Sequence, residues 1–245
     1  MKRTIYLIIL ISAFFTSCED FFVGECFSGD AQIVRQKVAI EGDIKRIYIK
    51  GEAEVYLLDD TTQFIEYEVP ENLVDELEFR YEEGELIYGN HITCKWRKGG
   101  SMPKLYMSLP AIQRYDILEY APVRCLDTLK YDHFVKIYSF GPGDMNLLIN
   151  MNHINIQSDY VADITVHGKV NKLDMYYKLH GRFFGQELSA KNINITHNGE
   201  NDVHLYPVET LKATIKNYGN IILHNQPPSM EVKKEGKGNV MMADG

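Results

Sequence analysis

One phrase returns along the second half of this chain at an almost constant interval, and that spacing restricts the fold more than any other feature. Gly141-Pro142-Gly143-Asp144-Met145-Asn146-Leu147 is its clearest copy, echoed by Gly199-Glu200-Asn201-Asp202-Val203-His204-Leu205, Gly219-Asn220-Ile221-Ile222-Leu223 and Gly236-Lys237-Gly238-Asn239-Val240. Aligned on the polar residue, the copies give a column of Asp144, Asp163, Arg182, Asp202, Asn220 and Asn239, with gaps of 19, 19, 20, 18 and 19. A repeat of that length built from strands and turns is the signature of a stacked solenoid.

Two apolar columns follow the polar one. Met145, Ile164, Phe183, Val203, Ile221 and Val240 come first, and Leu147, Val166, Gly185, Leu205, Leu223 and Met242 lie two residues further on. A spacing of two places both columns on one face of a strand. A second strand carries Ile154, Leu173, Ile193, Leu211 and Met230, then Ile156, Met175, Ile195, Ala213 and Val232. One coil cannot bury such a face, but coils stacked about 4.8 Å apart form a continuous core with their backbone groups paired. The expected fold is all-β, a right-handed parallel β-helix over residues 111–245.

Residues 31–110 are β-rich without keeping the period, and are expected to cap the solenoid. Residues 44–49 and 53–58 alternate, and Gly51-Glu52-Ala53-Glu54-Val55-Tyr56-Leu57 reads as a first, divergent copy of the repeat. Residues 64–69 form another strand, residues 70–75 a single helical turn, and residues 77–88 a hairpin about Glu82-Glu83-Gly84. The segment 94–101 is basic and loop-like.

The first 17 residues differ in kind. Lys2-Arg3 precede an apolar run through Phe15, the order of a signal peptide and too short for a transmembrane helix. Phe15-Thr16-Ser17-Cys18 resembles the lipobox of bacterial lipoproteins, with Phe15 in place of the usual Leu. That resemblance implies lipid on Cys18, anchorage to the outer membrane, and a tether over residues 18–30. Glu19-Asp20 look like the acidic signal that sends some lipoproteins of the Bacteroidota to the cell surface; a solvated tether accounts for them equally well.

Removing residues 1–17 takes away Lys2 and Arg3 and no acid, leaving 24 basic against 34 acidic residues and a net charge of −10. Such a chain repels nucleic acid. With Cys18 lipidated, Cys26, Cys94 and Cys125 leave one thiol unpaired. Cys125 falls in the inward column with Leu147 and Val166, so a Cys26–Cys94 bridge is the pairing left open.

The residues 71–75 and 84–86, the 105–110 strand, the returning Gly-x-Gly-Asp phrase and the ending Leu223-His224-Asn225-Gln226-Pro227 together resemble the GIN domain family. Its members are described as adhesin heads and are commonly lipoproteins of the Bacteroidota. The resemblance spans residues 44–240 and departs at Tyr160, Leu179 and Arg182. It implies an extracytoplasmic β-helix with an adhesive role, no cofactor and no catalytic residue.

The polar column allows two readings. Gly or Asn beside Asp or Asn is ordinary turn chemistry. Asp144, Asp163 and Arg182 would also stack on adjacent coils, as in carbohydrate lyases that use acids for Ca²⁺ and a base for proton abstraction, and Asp202 continues the candidate polar column. The histidines form no ligand spacing, and no metal motif is present. Tyr115, Tyr120, Tyr131, Tyr138, Tyr160, Tyr176 and Tyr177 are read as packing ladders or as an exposed glycan- or protein-binding platform. Three functions therefore compete: a non-enzymatic, adhesin-like envelope lipoprotein for a glycan or protein ligand; a structural, self-associating module; and a carbohydrate-active enzyme.

Overall fold

The computed structural model describes residues 32–92 and 102–243. It is nearly all β, with 60% strand and 3% helix, and its β-solenoid makes about seven turns at roughly 19-residue spacing. Cys26, Cys94 and the leader lie outside the described residues.

The strands are β1 (Ile33–Lys37), β2 (Arg46–Ile49), β3 (Glu54–Leu57), β4 (Phe64–Pro70), β5 (Leu77–Glu82), β6 (Glu85–Asn90), β7 (Lys104–Ser108), β8 (Arg114–Ile117), β9 (Val123–Cys125) and β10 (Phe134–Ser139). They continue with β11 (Met145–Ser158), β12 (Ile164–Leu179), β13 (Phe183–Gly199), β14 (Val203–Ile215), β15 (Ile221–Leu223), β16 (Ser229–Lys234) and β17 (Val240–Met242). The expected helical turn is a 3₁₀ turn at Glu71–Glu76. The expected hairpin is β5–β6, where Glu83 and Gly84 both hold positive φ, the mirror-image turn that suits the twist of paired strands.

From β10 onward every pairing is parallel, and the columns read from the period are the register found. Ile154, Leu173, Ile193, Leu211 and Met230 stand opposite one another in turn, as do Ile156, Met175, Ile195, Ala213 and Val232. Met145, Ile164, Phe183, Val203, Ile221 and Val240 form the matching column. Except on the last coil these side chains are buried. Cys125 follows Val123 and Arg124, which pair with Met145 and Asn146, and packs against the same core. Burial lifts its thiol to about 11, so it stays protonated at neutral pH.

Two features depart from the expected plan. The two strands of a coil merge into one long strand in β11 to β14, because ladder bonding continues through the corner between them. Gly168 makes this possible in β12: its φ is +113°, and a Cβ there would run into the Ile149 carbonyl of the coil below. The second departure is order. The coil of β2 and β3 is not the outermost, for β2 lies between β6 and β8 and β3 between β7 and β9, all parallel. The chain leaves the stack after β3, returns one layer further out as β6 and β7, and then steps back inward to β8. Antiparallel β5 covers β6, and antiparallel β4, itself paired to β1, covers β7.

A carboxylate ties the first coil to the layer that follows the detour, joining β2 to β8. Asp116 on β8 is 2% exposed and accepts Arg46 Nε at 2.7 Å, Arg114 Nε at 2.8 Å and Arg114 Nη2 at 2.6 Å. Arg46 also lies 4.2 Å over the Tyr48 ring.

The last coil lacks a neighbour on its outer side among the described residues, which predicts unequal costs within one column. Leu173→Ala should lower unfolding free energy by about 2–5 kcal/mol, whereas Met230→Ala should cost well under about 1 kcal/mol. Urea denaturation of the two variants measures the difference.

Candidate functional site

The polar column forms one row along a corner, and its oxygens are spent on the neighbouring backbone. Asp144 Oδ1 accepts the Asp163 amide at 2.9 Å, and Asp163 Oδ1 accepts the Arg182 amide at 2.9 Å. Asp202 Oδ1 accepts both the backbone and side-chain amides of Asn220 at 2.9 Å, and Asn220 Oδ1 takes the Asn239 amide at 2.9 Å. Arg182 has no acceptor atom in its side chain and interrupts the sequence of bonds. Each such bond fixes where the next coil begins, for a net stabilisation of about 1 kcal/mol. No group of three or more His, Cys, Asp or Glu side chains among the described residues is arranged to hold a metal ion.

The tyrosines divide by face. Tyr115 and Tyr131 point inward and share a hydrogen bond at 3.0 Å, and Tyr177 donates to the Arg182 carbonyl at 2.6 Å from full burial. Burial raises all three phenols. Tyr120 and Tyr160 are exposed at a corner, where the Phe140 and Tyr160 rings stack with centroids 6.0 Å apart.

A different corner forms an open groove of about 920 Å³. Its floor is the outer surface of the bend in β11, β12 and β13. Asn150 stands opposite Lys169, and Lys169 opposite Ser189. One residue pair along, Asn171 Nδ2 donates to Asn152 Oδ1 at 2.9 Å, and Lys191 lies on the next coil. The wall is the loop after β3. There Asp59 accepts the Lys130 amide at 3.1 Å, and Ser108 Oγ donates to the Asp60 carbonyl at 2.9 Å. Lys130 Nζ stands 3.7 Å from Asp59, but Lys169 and Lys191 are exposed without an acidic partner among the described residues.

The sequence reading missed this groove. Its residues are polar singletons far apart in the chain, and only the asparagine and lysine positions flanking the inward Met151, Val170 and Ala190 could have marked it. Among the described residues, the interior gap lined by Ile49, Val55, Leu57 and Met107 holds about 10 Å³, at the lower limit for one water.

The sequence profile described as "Putative auto-transporter adhesin, head GIN domain" matches residues 43–227. The chain belongs to the GIN domain family. No curated protein matches this GIN protein in sequence. Among solved structures it resembles a putative adhesin from Bacteroides fragilis at 18% identity and TM-score 0.77, covering 86% of this chain and 97% of that one. A putative lipid binding protein from Parabacteroides distasonis follows at 17% identity and TM-score 0.63, covering 88% and 98%. A putative adhesin from Parabacteroides merdae has 19% identity and TM-score 0.53, covering 88% and 98%. At these identities the likeness establishes the shared fold. Membership of an adhesin family points to a cell-envelope or surface protein.

One buried base inside the GIN domain titrates. His197 is fully buried in the inward column between Tyr177 and Ile215, and burial lowers its pKa below the free value, partly offset by the Asn201 backbone and the Asp202 charge. The unfolded chain therefore binds this proton first as pH falls. The contribution of His197 is intact above about pH 6.5 and is lost progressively below it, towards its folded pKa. His197→Leu should flatten the fall in unfolding free energy between about pH 7 and 5, and denaturation at a series of pH values reads the slope.

Proposed function

We propose that this GIN protein is a non-enzymatic, lipid-anchored envelope protein that binds an extended glycan along the corner groove. The observation that carries this reading is the groove floor, where outward Asn150, Lys169 and Ser189 sit on successive coils. Coil spacing of about 4.8 Å presents a polar side chain at intervals comparable to one sugar unit. Asparagine and serine offer donors and acceptors to hydroxyls. Lys169 and Lys191 supply uncompensated positive charge on a chain whose overall balance is acidic, which favours glycans bearing carboxylates. The packed interior supports an external rather than an enclosed ligand.

The polar column has a structural role in this reading, since Asp144, Asp163 and Asp202 each commit an oxygen to backbone amides. A glycan array with neutral and uronate-containing polymers tests the proposal. Lys169→Glu with Lys191→Glu should weaken binding about tenfold or more, and Asp144→Ala should leave it unchanged, with no shortened glycan detected by mass spectrometry. An array without binding, or a lysine double variant that binds as well as the parent, would refute the groove. Glycan cleavage lost on Asp144→Ala would favour an enzyme.

The anchor is proposed on the leader: a charged start, an apolar run and Cys18 after small residues. Cys18→Ser should abolish incorporation of labelled fatty acid in the producing cell, and retained label would remove the anchor.

A further inference from the structure

The two ends of the solenoid are finished differently. At the β6–β7 end, antiparallel β5 and β4 occupy the outer edges, so that coil offers no free ladder. At the other end β16 pairs only with β14 and β17 only with β15 among the described residues. The outer edges of β16 and β17 thus lack a backbone partner, the arrangement that recruits another strand. The side chains above them are core residues left half covered. Met230, Val232 and Met242 are 46%, 36% and 48% exposed, while their column neighbours Leu211, Ala213 and Leu223 on the preceding coils are buried.

We propose that this edge is an interface with a second copy of the same chain, formed by β16 pairing antiparallel with β16 of the other copy about Val232. Charge pattern selects that occupant and that register. Pairing about Val232 sets Glu231 opposite Lys233 of the second copy and, by symmetry, Lys233 opposite Glu231, so the strand is complementary to itself. Val232 then meets Val232, and Met230 meets the aliphatic stem of Lys234. The ammonium of Lys234 already reaches Asn239 Oδ1 at 2.6 Å, folded across the end of the solenoid.

The same residues limit the assembly to two. Lys234 occupies the inward column held by Ser158, Tyr177, His197 and Ile215 on earlier coils, so a charge stands where a further coil would require an apolar or small side chain. At the β6–β7 end the edges left over belong to the antiparallel cover strands β1 and β5, which are not parallel coil edges, whereas β16 on β16 is a two-fold contact, and such a contact closes. This interface is at the end of the stack and leaves the groove at the bend of β11 to β13 open.

Sedimentation of the chain, as processed by the cell that makes it, across a wide concentration range tests the proposal. The parent should show a reversible monomer–dimer equilibrium. Glu231→Lys sets lysine against lysine and Lys233→Glu sets glutamate against glutamate, so each variant alone should dissociate about tenfold or more readily. An equimolar mixture of the two restores opposite charges across the edge and should dimerise like the parent. A parent that stays monomeric, single variants that dimerise as tightly as the parent, or a mixture that fails to pair would each overturn the proposal. Melting temperatures of the variants at low concentration check that the fold survives.

Discussion

Everything in this molecule depends on the in-register parallel ladder between coils. Because strand side chains alternate, a slip of one residue would turn an entire inward column to solvent. The chain keeps its register even where coil length varies. The 20-residue step from Arg182 to Asp202 and the 18-residue step that follows are absorbed at the corner, where pairing shifts between Gly185 and Ser189 and again between Ala190 and Asn192. Bulges at a corner bend the strand without moving the inward Ile193 and Ile195 from their columns. The side-chain bonds of Asp144, Asp163, Asp202 and Asn220 hold the opposite limit of each coil to the same standard.

A ladder also has ends, and the two ends explain the less regular parts of the chain. At one, the segment between β3 and β8 leaves the stack, adds a coil outside the first, and covers it with antiparallel strands. Asp116 with Arg46 and Arg114 ties the first coil, at β2, to β8 across the 70 residues that include this detour. Removing the carboxylate would leave two cations facing each other at a half-buried junction, which is why such a group is costly to lose even where the intact pair adds little. At the other end the last described coil carries a lysine in the core column and three half-covered apolar side chains, the edge proposed above to pair with a second copy.

Between these ends the fold offers repetition to a ligand. The groove at the bend of β11 to β13 is polar and open, and its Lys169 and Lys191 have no acidic partner among the described residues. The aspartate row, although it looks more like chemistry in the sequence, is occupied by backbone amides. A row of similar acids arises whenever a turn repeats, since each needs an acceptor for the next amide. Activation for catalysis would need something further, such as a converging partner or a bound cation.

The period, the alternation about it and the polar turn residue were legible in the sequence, because a solenoid writes the same local requirement into each coil. From these alone the β-helix, its inward columns and the core-facing, though only partly buried, position of Cys125 follow. The β5–β6 hairpin was legible for the same reason: Glu83-Gly84 is local turn chemistry. The reversed order of the coils was not legible, since β2 is held between β6 and β8 by contacts that only packing brings together. Nor was the groove, whose Asp59, Lys130, Lys169 and Lys191 meet across more than a hundred residues. Local backbone geometry repeats and so can be read in one dimension, whereas the neighbours of an outward side chain are set by which coils stack, and only the tertiary structure decides that.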